Sequence, residues 1–207
     1  MSFFITFEGG EGSGKSTHAR WLYRRLSRLG VPVLLTHEPG VTLLGKKMTH
    51  LLKWAKDIEI SPVAELLMFN VSRSQLVAEV VCPALESGKV VICDRFADST
   101  TAYQGYGRGL DLALVKTVND SATQSLQPEL TILLDVAVEQ GLARKRSGHK
   151  DRFEQEEITF HQRVRGGFLK LAAAESQRWL VIDAGQTKDK ISEIIWDRVN
   201  KLLSRNG

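Results

Sequence analysis

Apolar and polar positions along the chain switch between two periods. Phe3 to Phe7 form a short β-prone run, and after a stretch of glycines Ala19, Leu22, Tyr23 and Leu26 recur at helical spacing until Gly30. This predicts strand, loop, helix. Val31 to Thr36 predict a second strand, Val41 to Trp54 and Pro62 to Leu85 predict helices, and Val90 to Cys93, after Gly88, predict a third strand. A helix over Leu112 to Ser125 leads to a strand over Leu130 to Val136, a helix near Val138 to Lys145 and a long helix near Glu156 to Ala174. A strand over Trp179 to Ile182 and a helix near Asp189 to Leu203 close the chain. Five strands separated by helices of this length predict a parallel sheet covered on both faces, an α/β doubly wound fold. Two stretches break the pattern, glycine-rich Gln104 to Asp111 and charged Arg146 to Arg152, and both predict irregular structure, the second a mobile flap.

Composition narrows the picture a little. With 207 residues and 43% hydrophobic side chains, one substantial core and a single domain are expected. The formal charge of +4 suits anionic ligands such as nucleotides and does not call for a nucleic acid. Cys82 and Cys93 sit inside apolar runs, the setting of buried free thiols in a reducing compartment. Met1 to Glu8 lacks the basic start of a signal peptide, and no run approaches the roughly 20 apolar residues of a membrane span, so a soluble cytoplasmic protein is expected.

The strongest chemical signal is Gly9-Gly10-Glu11-Gly12-Ser13-Gly14-Lys15-Ser16, which fits G-x-x-x-x-G-K-[ST] between a strand and a helix, with Thr17 next. In such a loop backbone N–H groups wrap phosphates, the lysine reaches the β- and γ-phosphates of ATP, and the serine holds Mg²⁺. Glycine is needed where backbone must approach oxygen closely, and the following helix aims its positive end at the anion. Val90-Val91-Ile92-Cys93-Asp94 is an apolar strand ending in a carboxylate. It reads either as a strand-end turn or as the acid that accompanies Ser16 at the metal.

Phe4-Ile5-Thr6-Phe7-Glu8-Gly9, His37-Glu38-Pro39-Gly40, Glu65-Leu66-Leu67-Met68-Phe69, Asp94-Arg95-Phe96 and Ala102-Tyr103-Gln104-Gly105 stand in the order found in bacterial thymidylate kinases. The chain resembles that family over nearly its whole length. The resemblance implies a P-loop NTPase-type five-stranded parallel sheet with a small lid near residues 144 to 153, and transfer of the γ-phosphoryl group of ATP to dTMP on the route to dTTP. It further implies a homodimer packed through helices.

The same resemblance assigns roles by position. Phe69 and Arg73, four apart on one helix face, would stack on the base and donate to the acceptor nucleotide; from the residues alone, Phe69 could equally be core and Arg73 a solvated charge. Arg95, at the carboxyl end of a strand, would grip the acceptor phosphate. Tyr103 would lie against the sugar, with Thr100 and Gln104 beside base or sugar, and Glu11 facing the 3′-hydroxyl and metal region. Glu38 would line the sugar pocket or be only an acidic turn residue. The run Arg144 to Arg152, five cations in nine residues, reads as a solvated face or, by the resemblance, as a lid that supplies the guanidinium the phosphate loop lacks. Arg144 is the first candidate for that cation and Arg146 the second. Adenine would lie against the lid and Ala184-Gly185-Gln186.

Three positions depart from the family pattern. Val41 replaces a second glycine after Glu-Pro-Gly, Thr49 stands where many members carry arginine, and the lid is one residue short. Rival expectations are another nucleotide kinase of the same architecture and, further off, a P-loop ATPase that binds nucleic acid or protein.

Overall fold

The computed structural model describes residues 2–55, 57–145 and 151–206. Five parallel strands, β1 (Phe4–Glu8), β2 (Val33–His37), β3 (Val90–Asp94), β4 (Leu130–Asp135) and β5 (Trp179–Asp183), form one sheet in the order β2-β3-β1-β4-β5. Chain order reverses direction at β1, so the crevice at the carboxyl ends of β1 and β3 is the topological switch point where such sheets bind ligands. Both faces are covered. Phe3, Ile5 and Phe7 of the first strand region pack with Leu22 and Leu26 of α1 (Lys15–Arg28) on one side, whereas Phe4, Val91 and Cys93 face Leu76, Val77 and Val81 on the other. Consecutive residues thus point to opposite cores, which is why the strands read as unbroken apolar runs.

Most helices match their expected spans: α2 (Leu43–Trp54) with Thr42 accepting from the Gly45 N–H, and α3 (Pro62–Leu76) with Ser61 capping and proline at its first turn. The single helix expected to Leu85 is instead interrupted by a π-helical turn, Val77–Val81, before α4 (Cys82–Glu86), whose first turn holds Pro83. A second difference is larger. The stretch expected to be irregular at Gln104 is helical: α5 (Ala97–Thr100) runs into a π-helical segment, Thr101–Gly107.

The glycines there serve close packing. A Cβ at Gly107 would lie 2.7 Å from the Phe160 ring, and one at Gly167 would lie 2.6 Å from Tyr106, so small residues let this segment press against α8 (Ile158–Ala174). The remaining helices are α6 (Leu112–Thr123), α7 (Val138–Arg144) and α9 (Lys188–Asn206). Among the described residues no helix is long and apolar enough to cross a membrane.

Candidate active site

The loop from Gly9 to Ser16 leaves β1 and enters α1, with Gly14 in the left-handed region at φ 96° as the residue before the helix. Gly12 has φ 65° and lies against α7, where an added Cβ would meet the Gly141 carbonyl oxygen at 2.0 Å. The main chain therefore comes as near to its neighbour as atoms allow, and any side chain at Gly12 would push the loop outward. Lys15 Nζ donates to the Gly10 carbonyl at 2.7 Å and to Ser13 Oγ at 3.3 Å. Burial, with the nearby Arg95 charge, pulls the Lys15 ammonium down to about 8, against the opposing pull of Glu11, Asp94 and Glu8.

Ser16 Oγ donates to Asp94 Oδ2, which joins the loop to the end of β3. This open cleft is lined by Glu11 to Thr17, Asp94, Arg95, Arg144 and Lys145. Arg144 donates to the Ala184 carbonyl at 3.2 Å through both terminal nitrogens and to the Gly12 carbonyl at 3.4 Å, bridging the loop after β5 to the phosphate loop. Arg146 lies outside the described residues.

A second, smaller and more enclosed cavity adjoins the cleft. Its walls include Glu11, Glu38, Phe69, Arg73, Arg95, Thr100, Tyr103 and Gln104, so the residues singled out in the sequence for an acceptor converge on one space. Arg95 has φ 73°, rare for a side-chain-bearing residue. Glu8 supports that turn by accepting from the Phe96 N–H at 2.7 Å and from Ser99 Oγ at 2.6 Å. The Arg95 guanidinium then donates to Gly9 O and Ser99 Oγ, each at 3.1 Å, to Glu11 Oε1 at 2.9 Å and to Tyr103 OH at 3.2 Å.

Glu11 forms the wall between the two spaces. Burial opposes its ionisation, yet the fields of Arg95, Lys15 and Lys145 hold its carboxyl well below the ordinary range. Lys145 Nζ reaches its second oxygen at 2.7 Å.

Arg73 is 1% exposed, so it is no solvated charge. Its N–H groups donate to Glu38 Oε2 at 2.8 Å, Asn70 Oδ1 at 3.1 Å, Asn119 Oδ1 at 3.0 Å, the Phe96 carbonyl at 3.3 Å and Thr100 Oγ1 at 2.7 Å. All the donors of the fork are engaged within the protein, and Arg73 braces the cavity wall. Glu38 is buried with Oε1 unpaired among the described residues, and burial, partly offset by Arg73, pushes its carboxyl up to about 7. Phe69 is half-buried, edging a core cluster while its ring lines the cavity, with the Phe153 ring 5.5 Å away.

Several contributors escaped the sequence reading. Glu8 stands in the Phe4 to Gly9 segment of the resemblance without an assigned role. Lys53 lines both spaces and pairs with Asp151 at 3.0 Å, one helical turn beyond Thr49; the missing arginine at Thr49 was the clue to look further along α2. Asp151 and Phe153, at the end of the expected lid, complete the enclosed cavity.

A phosphate-type loop beside an enclosed, cation-walled cavity defines the class: a P-loop kinase of small substrates. The comparisons specify the family. A family model described as thymidylate kinase matches residues 7–195. The chain is 55% identical over 203 residues to a thymidylate kinase of Dehalococcoides mccartyi, covering 98% of both chains. It is 45% identical over 217 residues to one from Roseiflexus sp., covering 99% of this chain and 96% of that one. The crystal structure of thymidylate kinase from Ehrlichia chaffeensis superposes with a TM-score of 0.74 at 39% identity, over 87% of this chain and 92% of that one. The chain belongs to the thymidylate kinase family.

Proposed function

We propose that this protein transfers the γ-phosphoryl group of ATP to dTMP, giving ADP and dTDP for dTTP synthesis. The observation that carries the proposal is the shared wall: Glu11 and Arg95 line both the open cleft and the enclosed cavity, so a donor on the loop and an acceptor in the cavity meet there. An oxygen of the acceptor phosphate forms the new P–O bond in line, the bond from the β,γ-bridging oxygen breaks, and its electron pair leaves with ADP. No covalent enzyme intermediate or general base is required, because the acceptor is already an anion. The transition state is loose and spreads charge over peripheral oxygens, so positioned cations do the stabilising.

Lys15 takes the β- and γ-phosphates, the backbone of Gly9 to Ser16 and Thr17 the remaining phosphates, and Arg95 the acceptor phosphate. Arg144 is the lid guanidinium nearest the transferred group, with Arg146 as the alternative. Phe69 stacks on the base, while Tyr103 and Glu38 border the sugar. Ser16 and Asp94 suit Mg²⁺, since a hydroxyl and a carboxylate already in contact offer hard oxygen ligands to an ion that takes the rest from phosphates and water. When bound, that ion would neutralise phosphate charge.

The free thiols Cys82 and Cys93 fit a reducing cytoplasm. A homodimer is supported by Val63, Leu67 and Val71, an apolar stripe along α3 at helical spacing that is 44, 49 and 43% exposed. Leu67→Asp should then yield monomers in sedimentation analysis. The activity is tested by coupled ADP release with dTMP, dUMP, dCMP and AMP as acceptors. The strongest signal is expected with dTMP, and equal or greater turnover with AMP would overturn the assignment.

A further inference from the structure

Gln104 is 1% exposed and lines the enclosed cavity, yet its amide is held from behind. Its Nε2 donates at 2.7 Å to Oε1 of Glu65, a residue of α3 that does not line the cavity and is itself 1% exposed. Glu65 in turn accepts from Arg108 Nε and Nη2, each at 3.1 Å, and from Arg152 Nη2. Both Glu65 oxygens face N–H donors, and a carboxylate in that position accepts hydrogen bonds. The Gln104 amide is therefore fixed with its NH₂ toward Glu65, and flipping it would set oxygen against oxygen.

The opposite end, Oε1, meets no donor among the described residues and is not among the buried unpaired atoms, so it opens to the cavity. One turn earlier Thr100 Oγ1 accepts from Arg73 at 2.7 Å, which leaves its hydroxyl hydrogen free to be donated. The cavity wall thus presents an acceptor and a donor side by side.

We infer that Glu65 is a specificity-determining positioning residue: by fixing the Gln104 amide, it makes the acceptor cavity select bases with an imide edge. Thymine and uracil offer an N3–H donor beside a carbonyl, which complements a fixed amide oxygen beside a hydroxyl donor. Cytosine presents a lone pair at N3, which the same oxygen repels. Glu65 acts through Gln104 and touches no substrate. Arg108 braces it from the second side through Glu156 at 2.6 Å. The inference rests on the dTMP reading above and adds the device by which the ring is recognised.

The test compares kcat/KM for dTMP and dCMP in the wild type, Glu65→Gln, Gln104→Ala and the double variant. Glu65→Gln can donate as well as accept, so the Gln104 amide is free to turn. The dTMP-over-dCMP ratio should fall by about tenfold or more, the scale of one mispaired buried hydrogen bond, with the ATP KM unchanged. Adding Glu65→Gln to Gln104→Ala should leave the ratio where Gln104→Ala alone puts it. If Glu65 only supports the fold, both acceptors will weaken equally and the ratio will hold, which overturns the inference. A further fall in the ratio in the Gln104→Ala background overturns it as well. Should the wild type itself not prefer dTMP over dCMP, the acceptor assignment fails first; a clear wild-type preference with an unchanged Glu65→Gln ratio rejects the clamp alone.

Discussion

The open cleft and the enclosed cavity lie side by side but are built by different means. The cleft is built around one continuous loop, Glu11 to Thr17, whose geometry depends on glycine and on the start of α1, with the ends of β2, β3 and α7 completing its walls. The cavity is made of side chains from β2's end, α2, α3, the turn after β3, the π-helical segment and the stretch after residue 150. A backbone site tolerates little change in its own residues, as the 2.0 Å approach of a Gly12 Cβ to the Gly141 oxygen shows. A side-chain site also depends on residues outside its lining, as Glu8 illustrates.

The contrast is open to direct attack. Lys15→Ala should have the largest effect, lowering turnover by at least ~10²-fold, the scale of losing one transition-state donor, while acceptor KM changes little. Near-normal turnover would detach the loop from the chemistry. Gly12→Ala places a methyl 2.0 Å from the Gly141 oxygen at a positive φ, so the loop must shift. A loss of about 1–3 kcal/mol in thermal or chemical unfolding and a raised ATP KM are expected; an unperturbed ATP KM would show that the loop reshapes without cost.

On the other side of the wall, Phe69→Ala should raise the acceptor KM about fivefold to tenfold, the scale of an aromatic contact, and leave the ATP KM alone. Parallel changes in both constants would return Phe69 to a purely core role. The smallest effect concerns Glu38. Its folded-state value of about 7 exceeds the ordinary 4.5, so the folded protein binds more protons between these values and stability declines as pH rises through that window. Glu38→Gln retains an oxygen for Arg73 and should flatten that decline in denaturation midpoints measured from pH 4.5 to 7. An unaltered slope would assign the proton to another group, with Glu8, pushed up to about 8 mainly by burial, as the first alternative.

The sequence alone determined the five strands, their parallel pairing through helical crossovers, and the phosphate loop, because each is written in contiguous residues with a local period or a fixed spacing. It misjudged Gln104 to Gly107, where glycine reads as a loop breaker although it permits two helices to touch, a fact set by Phe160 and Gly167 more than fifty residues away. It named Arg73 without foreseeing the acceptors inside the protein that hold its guanidinium. Whether a guanidinium faces a ligand or braces a wall depends on which acceptors surround it, and here Glu38, Asn119 and Thr100 come from three other elements. Tertiary structure alone decided that Glu11 divides two spaces, that Lys53 borders both, and that Glu65 holds Gln104 in one orientation. Hydrogen-bond polarity is a property of assembled neighbours, and no single stretch of chain carries it.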